Sequence, residues 1–405
     1  MSSALLVMKI LFVSAVLPYP LRSGGQIRIY QLLKRLSKRH EITLVSFIRD
    51  EKERVYTSEL GFCKRVYMVT RGYAWQPKYI VRALTSSFPL LLATYDNSRM
   101  RALLAKLLAG EKYDLMHLEP FYVWPSVPRD HPPVVVSEHN IEYLVYERYV
   151  ARFPVSFLRP LLSWDVGKLF RWERRIWRNA TAVTAVSSAD AAVIETYLSH
   201  DISVVPNGVD LSMFVYKKPE TKGGKRAVFV GNFRWLPNRQ AASDLVRTIW
   251  PAIRARYPDA SLTIAGRYIP ADLKASMQAI GGTVIENTPD ITRVYHNADL
   301  LLAPHAIAGG TKYKMLEAMA SGLPIVTTTH GMAGLMVEPE VHYLEARTTH
   351  EYIDAVGKIW ENTSLAERIA RDARRLVETT YTWDIISHAL NNVWRNAYAK
   401  GKDRS

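Results

Sequence analysis

Residues 309–328 read GGTKYKMLEAMASGLPIVTT, which places a glycine pair, two lysines and a glutamate within one short run. Gly309 and Gly310 let backbone amides approach a ligand closely, and the start of the helix that follows favours anions. Lys312 and Lys314 add formal charge, so this run has the chemistry to hold a diphosphate. Glu317, one turn further on, only accepts hydrogen bonds when ionised, which suits a pair of sugar hydroxyls better than a phosphate. The competing reading is an ordinary helix N-terminus with a solvated glutamate.

The elements around this run place it where a ligand would go. The apolar stretch 300–303 stops at Pro304, so the glycines lie in a loop beyond a strand's carboxyl end, the edge at which α/β sheets bind ligands. Strands and helices alternate along the chain as in two doubly wound sheets. Residues 9–16 are a strand, 17–25 a Pro- and Gly-punctuated loop, and 27–38 a helix with Ile27, Tyr30, Leu33 and Leu36 at helical spacing. Further strands fall at 41–47, 262–265, 283–286, 300–303 and 324–328. The charged stretch 217–226, KKPETKGGKR, reads as an interdomain linker. Two more sets of residues sit at loop and strand ends. Gly24 and Gly25 precede the first helix, although GxGxxG is absent. His139 follows the run 134–136, and His117 has a similar strand-end position.

Composition bounds the possibilities. With 405 residues and 48% hydrophobic content, the chain suits two domains better than one core. The single cysteine, Cys63, excludes an internal disulfide framework and points to a reducing cytoplasm. Residues 4–17 are apolar but contain Lys9 and end at Pro18, a length suited to a buried strand and too short for a bilayer. The net charge is +15, and residues 1–200 hold an excess of 11 basic over acidic side chains. In 153–178 basic residues interleave with aromatics, including Phe157, Arg159, Trp164, Lys168, Phe170, Arg171, Trp172, Arg174, Arg175, Trp177 and Arg178. That mixture suits an anionic membrane surface, against the alternative of a packed core with a solvated basic face. Nucleic acid is not expected as a partner, because no nucleic-acid-binding module is recognisable. No Asp-x-Asp pair occurs and the eleven histidines form no zinc-like cluster, so a metal-free reaction is expected.

A second motif widens the picture. Residues 204–214 read VVPNGVDLSMF, about a hundred residues before the GGTKYKMLEAMASGLPIV run. Together they resemble the family-4 retaining glycosyltransferases, in which a PNGVD…F segment closes the first domain and an EAMA.G.P.V segment forms the donor site. YDLMHLE (113–119), SEHNIE (137–142) and FVGNFRWLPN (229–238) extend the resemblance, the last as in a polysaccharide-biosynthesis branch. The resemblance implies a GT-B fold, with two Rossmann-like doubly wound domains facing a cleft. The expected divisions are 1–210 for acceptor binding, 211–226 as linker, 227–381 for the nucleotide sugar, and 382–405 as a helix returning to the first domain.

The resemblance also implies site roles and partners. His139 would lie beneath the donor sugar, with Gly24 and Gly25 near the donor phosphate and acceptor. Arg234, Lys312 and Lys314 are the candidate cations for a departing diphosphate, where negative charge develops. The donor would be a UDP- or GDP-sugar with no further cofactor. The acceptor would be lipid-linked or an oligo- or polysaccharide, and the enzyme peripheral on the inner face of the membrane. Retention would proceed by same-face attack assisted by the departing phosphate. The chain departs from the pattern at three places. Gly309 replaces the first of two glutamates, leaving hexose recognition to the amides of Gly310 and Thr311. Asn232 and Asn238 replace an arginine and a lysine, for which Arg234 or Arg239 would substitute. Base recognition is expected near 286–290. An epimerase or hydrolase on the same fold, or a catalytically silent nucleotide-sugar binder, are the competing readings.

Overall fold

A computed structural model describes residues 6–73, 76–151, 153–199, 201–219, 224–306 and 313–402. It divides into two compact units, Met1–Pro206 with Ile386–Ser405, and Asn207–Ile385.

The first unit is built on a parallel sheet of β1 (Lys9–Ser14), β2 (Glu41–Ile48), β3 (Arg65–Thr70), β4 (Leu115–Glu119), β5 (Val134–Glu138), β6 (Ala182–Ala185) and β7 (Ser203–Val204). Their order is β3-β2-β1-β4-β5-β6-β7. Strands β1, β4 and β5 are buried almost throughout, as expected of parallel strands covered on both faces. The order reverses between β1 and β4, a switch point of the kind at whose strand carboxyl ends such sheets bind ligands. The Gly24–Leu36 helix follows β1 and is capped by Ser23, whose Oγ accepts from the amide of Gln26 at 3.4 Å. The C-terminal helix Trp383–Lys402 contributes Ile386 onward to this unit. Its Asn391 accepts from Nε2 of His40 at 2.6 Å, since Nδ1 of His40 accepts from the amide of Met8.

The second unit repeats the plan with β8 (Arg226–Asn232), β9 (Ser261–Arg267), β10 (Thr283–Glu286), β11 (Leu300–Ala303), β12 (Ile325–Thr327) and β13 (Leu344–Glu345). Its order is β10-β9-β8-β11-β12-β13, so the switch point falls between β8 and β11. At the ends of β8 and β9 the backbones come very close. Gly266 has φ +149°, and a β-carbon there would lie 1.8 Å from the carbonyl oxygen of Gly231, so only glycine fits.

The PNG turn and the expected linker both join this second unit. Asn207 onward belongs to it, the amide of Val209 donates to Tyr381 O at 2.8 Å, and Phe214 is buried in its core. The amide of Lys217 donates to Ser321 O at 2.9 Å, and Arg226 is already the first residue of β8.

Candidate active site

Glu119 ends β4 at the first switch point and organises the groups around it. The side chains of residues 117 and 119 share one face of the strand. Glu119 is fully buried; its Oε1 accepts from Arg28 Nε at 2.6 Å and lies 2.7 Å from His139 Nε2, while Oε2 lies 2.6 Å from His117 Nε2. Arg28, 1% exposed, also donates to Pro206 O at 2.7 Å. Burial alone would raise the Glu119 carboxyl. The Arg28 guanidinium and the hydrogen bonds from His117 and His139 outweigh it and hold the carboxyl well below the usual range.

This arrangement fixes the histidine tautomers. The indole Nε1 of Trp394 can only donate, and it lies 3.0 Å from His117 Nδ1. His117 therefore accepts at Nδ1 and carries its proton on Nε2, from which it donates to Glu119. Burial depresses the His117 pKa in spite of that carboxylate, keeping the ring neutral. His139 in turn donates from Nε2 to Glu119, which leaves Nδ1 as its second hydrogen-bonding position. A β-carbon placed on Gly25 would lie 3.8 Å from His139 Cε1 and Nδ1, so the Nδ1 edge of the ring faces the start of the Gly24–Leu36 helix. The ring is 18% exposed. An accessible imidazole nitrogen thus lies beside a helix N-terminus, a setting that can engage a sugar hydroxyl next to an anionic group.

Behind His139 lies a different carboxylate pair. Glu138 Oε1 accepts from Trp177 Nε1 at 2.6 Å, while Oε2 has no partner among the described residues. Both oxygens of Glu173 accept backbone amides, from Glu142 and Tyr143, at 2.8 Å each. Burial, then the neighbouring Glu173, raises Glu138 well above the ordinary carboxylate range. Burial also lifts Glu173, to about 8. Glu173 has donors for both oxygens and Glu138 does not, so Glu138 is the member of the pair that keeps its proton to the higher pH.

At the second switch point the Tyr313–Ser321 helix follows β11 and carries Lys314 and Glu317 three residues apart on one side. The Lys314 side chain is buried, with Nζ 2.8 Å from Asn238 Oδ1, 3.2 Å from His305 Nε2 and 4.4 Å from the centre of the Phe229 ring. Asn238 is oriented for this by donating its Nδ2 to Asn232 O at 2.8 Å. Glu317 is half-buried, and its Oε2 accepts from Tyr295 Oη at 2.7 Å. Burial raises the Glu317 carboxyl, against the opposing effects of that hydrogen bond and of Lys314. A cation and an acceptor group therefore stand one turn apart at a strand-to-helix switch point.

The structure sorts the sequence expectations. It brings Gly25 to His139 and puts Lys314 and Glu317 at a sheet's switch point, while Gly24 opens the helix beside His139. Gly309, Gly310, Thr311 and Lys312 lie outside the described residues. Arg234 is exposed after β8 and stacks its guanidinium 3.7 Å from the Tyr268 ring; Arg239 is exposed as well. The cation that reaches Asn238 is Lys314, so at this position the basic group comes from the Tyr313–Ser321 helix. His117 is a buried support. Near 286–290, Glu286 is occupied internally, accepting from the amide of Ile269 at 2.9 Å and from Lys274 Nζ at 2.6 Å.

Part of the basic aromatic stretch is core. Trp177 is fully buried, Trp172 stacks on Phe88 at 4.8 Å, and Lys168 is buried. Phe157, Leu161 and Trp164 remain exposed at its beginning. Among the described residues no group of three or more His, Cys, Asp or Glu side chains is arranged to hold a metal ion, and no helix is long and apolar enough to cross a membrane.

Comparison with known proteins now gives these sites a class. Residues 22–213 match Glycosyltransferase Family 4, and residues 224–362 match Glycosyl transferases group 1. The chain belongs to the family-4 glycosyltransferases, and its two parallel α/β sheets are those of the GT-B fold. Crystalline HepE from Anabaena, in complex with UDP and glucose, superposes with a TM-score of 0.66 at 15% identity, covering 96% of this chain and 100% of that one. An uncharacterized 44.6 kDa protein in the cps region of Klebsiella pneumoniae is 24% identical over 92% of this chain and 96% of its own length. A GDP-mannose-dependent monoacylated alpha-(1-6)-phosphatidylinositol monomannoside mannosyltransferase from Corynebacterium glutamicum is 24% identical, over 47% of this chain and 55% of that protein.

Proposed function

We propose that this glycosyltransferase moves a hexosyl group from a UDP- or GDP-sugar to a lipid-linked or polysaccharide acceptor, with retention of anomeric configuration and without a metal. The observation that carries the reading is the Lys314 ammonium at the second switch point, held by Asn238 and His305 with Glu317 one turn away. As the glycosidic bond to the diphosphate breaks, negative charge grows on the leaving phosphate, and an oriented cation lowers that barrier. Glu317 accepts from the ribose hydroxyls. His139, oriented through Glu119, presents Nδ1 to a hexose hydroxyl. The acceptor oxygen then attacks from the face the phosphate leaves, and the departing phosphate takes its proton.

Support for the donor class comes from HepE, seen with UDP and glucose, and for the acceptor class from the phosphatidylinositol mannoside mannosyltransferase. The enzyme works in the cytoplasm, on the inner face of the membrane. Incubation with α-linked UDP- and GDP-sugars and a polyprenyl-diphosphate-linked acceptor, followed by proton NMR of the product, tests this. An α-linked glycoside is expected. A β-linked product would overturn retention, and free sugar or an epimerised donor as the only product would favour the competing enzyme class.

A further inference from the structure

Away from His139, the first unit carries a cavity lined by basic side chains beside an exposed apolar stripe. The Pro77–Thr85 helix shows three stripes. Tyr79 and Ala83, one turn apart, are buried. Lys78, Arg82 and Thr85 line a cavity of about 680 Å³ at the carboxyl end of edge strand β3, together with Arg71 and Arg99. Ile80, Val81 and Leu84 form the third stripe and are 43, 57 and 49% exposed, with Val81 also lining the cavity. The cavity lining includes one carboxylate, Asp96, which is paired with Arg82 and Arg101. Arg71 is held by Thr94 Oγ1 at 2.9 Å and lies over the Tyr95 ring. The lining therefore has a clear excess of positive charge.

The Arg159–Asn179 helix extends this face. Its buried Lys168 ammonium donates to the carbonyls of Ala83, Ser86 and Phe88 at the end of the Pro77–Thr85 helix. The Trp164 ring lies 3.8 Å from the same ammonium and is 46% exposed. An exposed indole is thus carried to the end of the helix bearing the apolar stripe. A soluble polyanion would use the cations and leave Ile80, Val81, Leu84 and Trp164 in water. An amphiphile with an anionic head uses both, and a large exposed apolar group rimmed by basic side chains suits a bilayer interface.

We propose that this cavity takes the phosphate of an anionic phospholipid in a bilayer, while Ile80, Val81, Leu84 and Trp164 enter the boundary of the acyl region. The inference deepens the membrane-side placement proposed above by naming the residues and the headgroup chemistry. The test is co-sedimentation of the full chain with vesicles of phosphatidylcholine alone and of phosphatidylcholine with phosphatidylglycerol. Binding to the anionic vesicles only, weakening with salt, is expected. The double variant Lys78→Glu/Arg99→Glu should lower binding roughly tenfold or more, each reversal opposing the surface potential. Val81→Ser/Leu84→Ser should weaken it comparably and leave the residue more salt-sensitive, with thermal unfolding checking that each variant is folded. Equal binding to neutral vesicles, or no loss in the folded charge-reversal variant, would overturn the proposal. Displacement by inorganic phosphate at the concentration of accessible lipid headgroups would mark a soluble-anion site and overturn it too. Sugar-nucleotide binding by the unmodified chain without vesicles reads the transferase reading separately, so one can fail while the other stands.

Discussion

At the first sheet's switch point an imidazole is surrounded by charge, whereas at the second an ammonium is held by an amide, an imidazole and an aromatic ring. Glu119 is ionised by Arg28 and spends its oxygens on two histidines, so its charge serves to orient. Asn238, His305 and the Phe229 ring hold the Lys314 ammonium in place. The same fold thus builds a positioned imidazole in one unit and a positioned ammonium in the other.

Breaking the first arrangement should cost most. Glu119→Gln keeps the shape but leaves the Arg28 guanidinium buried without its counter-charge, a loss of about 3–5 kcal/mol of stability measured by denaturant unfolding. Lys314→Ala leaves that network alone and should instead lower kcat/KM with a sugar nucleotide by about 10²–10³-fold, the usual loss for one oriented group at a developing anion. An unchanged rate would remove Lys314 from the phosphate site.

The Glu138–Glu173 pair makes a prediction of opposite sign to Glu119. Glu119 is depressed on folding, so its contribution is present above the ordinary carboxylate pKa and lost as pH falls through its folded value. Glu138 and Glu173 are raised, so their folded form binds protons that the unfolded chain has released. Their contribution is greatest below the carboxylate range and declines as pH rises toward about 8. Thermal unfolding followed across that window should show a falling midpoint in the parent chain and a flatter one in Glu138→Gln. A slope unaltered by the substitution would place the proton elsewhere.

The smallest effect is expected at the C-terminal helix. Trp394→Phe removes the donor that fixes the His117 tautomer and should cost about 1 kcal/mol. The folded variant should also show a shifted His117 ring-nitrogen resonance. A resonance identical to the parent's would mean that Glu119 alone sets the tautomer.

The alternation of apolar runs and glycine- or proline-marked loops was enough to anticipate two parallel α/β sheets, because local patterning and strand burial agree. Lys314, Glu317 and His139 were legible for a similar reason, each lying just past a strand's carboxyl end. Glu119 left a signal in the HLE spacing, since alternate residues of a strand share a face. The roles of Arg28, His305 and Trp394 were not legible. Trp394 meets His117 across 277 positions of chain, a pairing that periodicity cannot reveal. The interleaved aromatics of 153–178 left two readings open, because at helical spacing the residues that suit an interface also suit a core: Trp177 is buried, Trp172 is partly buried on Phe88, and Trp164 stays exposed.

Calorimetric titration of UDP- and GDP-sugars into the full chain and its Lys314→Ala and Glu317→Gln variants tests the central claim most directly. One donor should bind the parent chain, with affinity falling about tenfold or more in each variant as a charged hydrogen-bonding partner is lost. Binding of equal strength in all three proteins, or no binding to the parent at millimolar donor, would contradict a diphosphate site on the Tyr313–Ser321 helix.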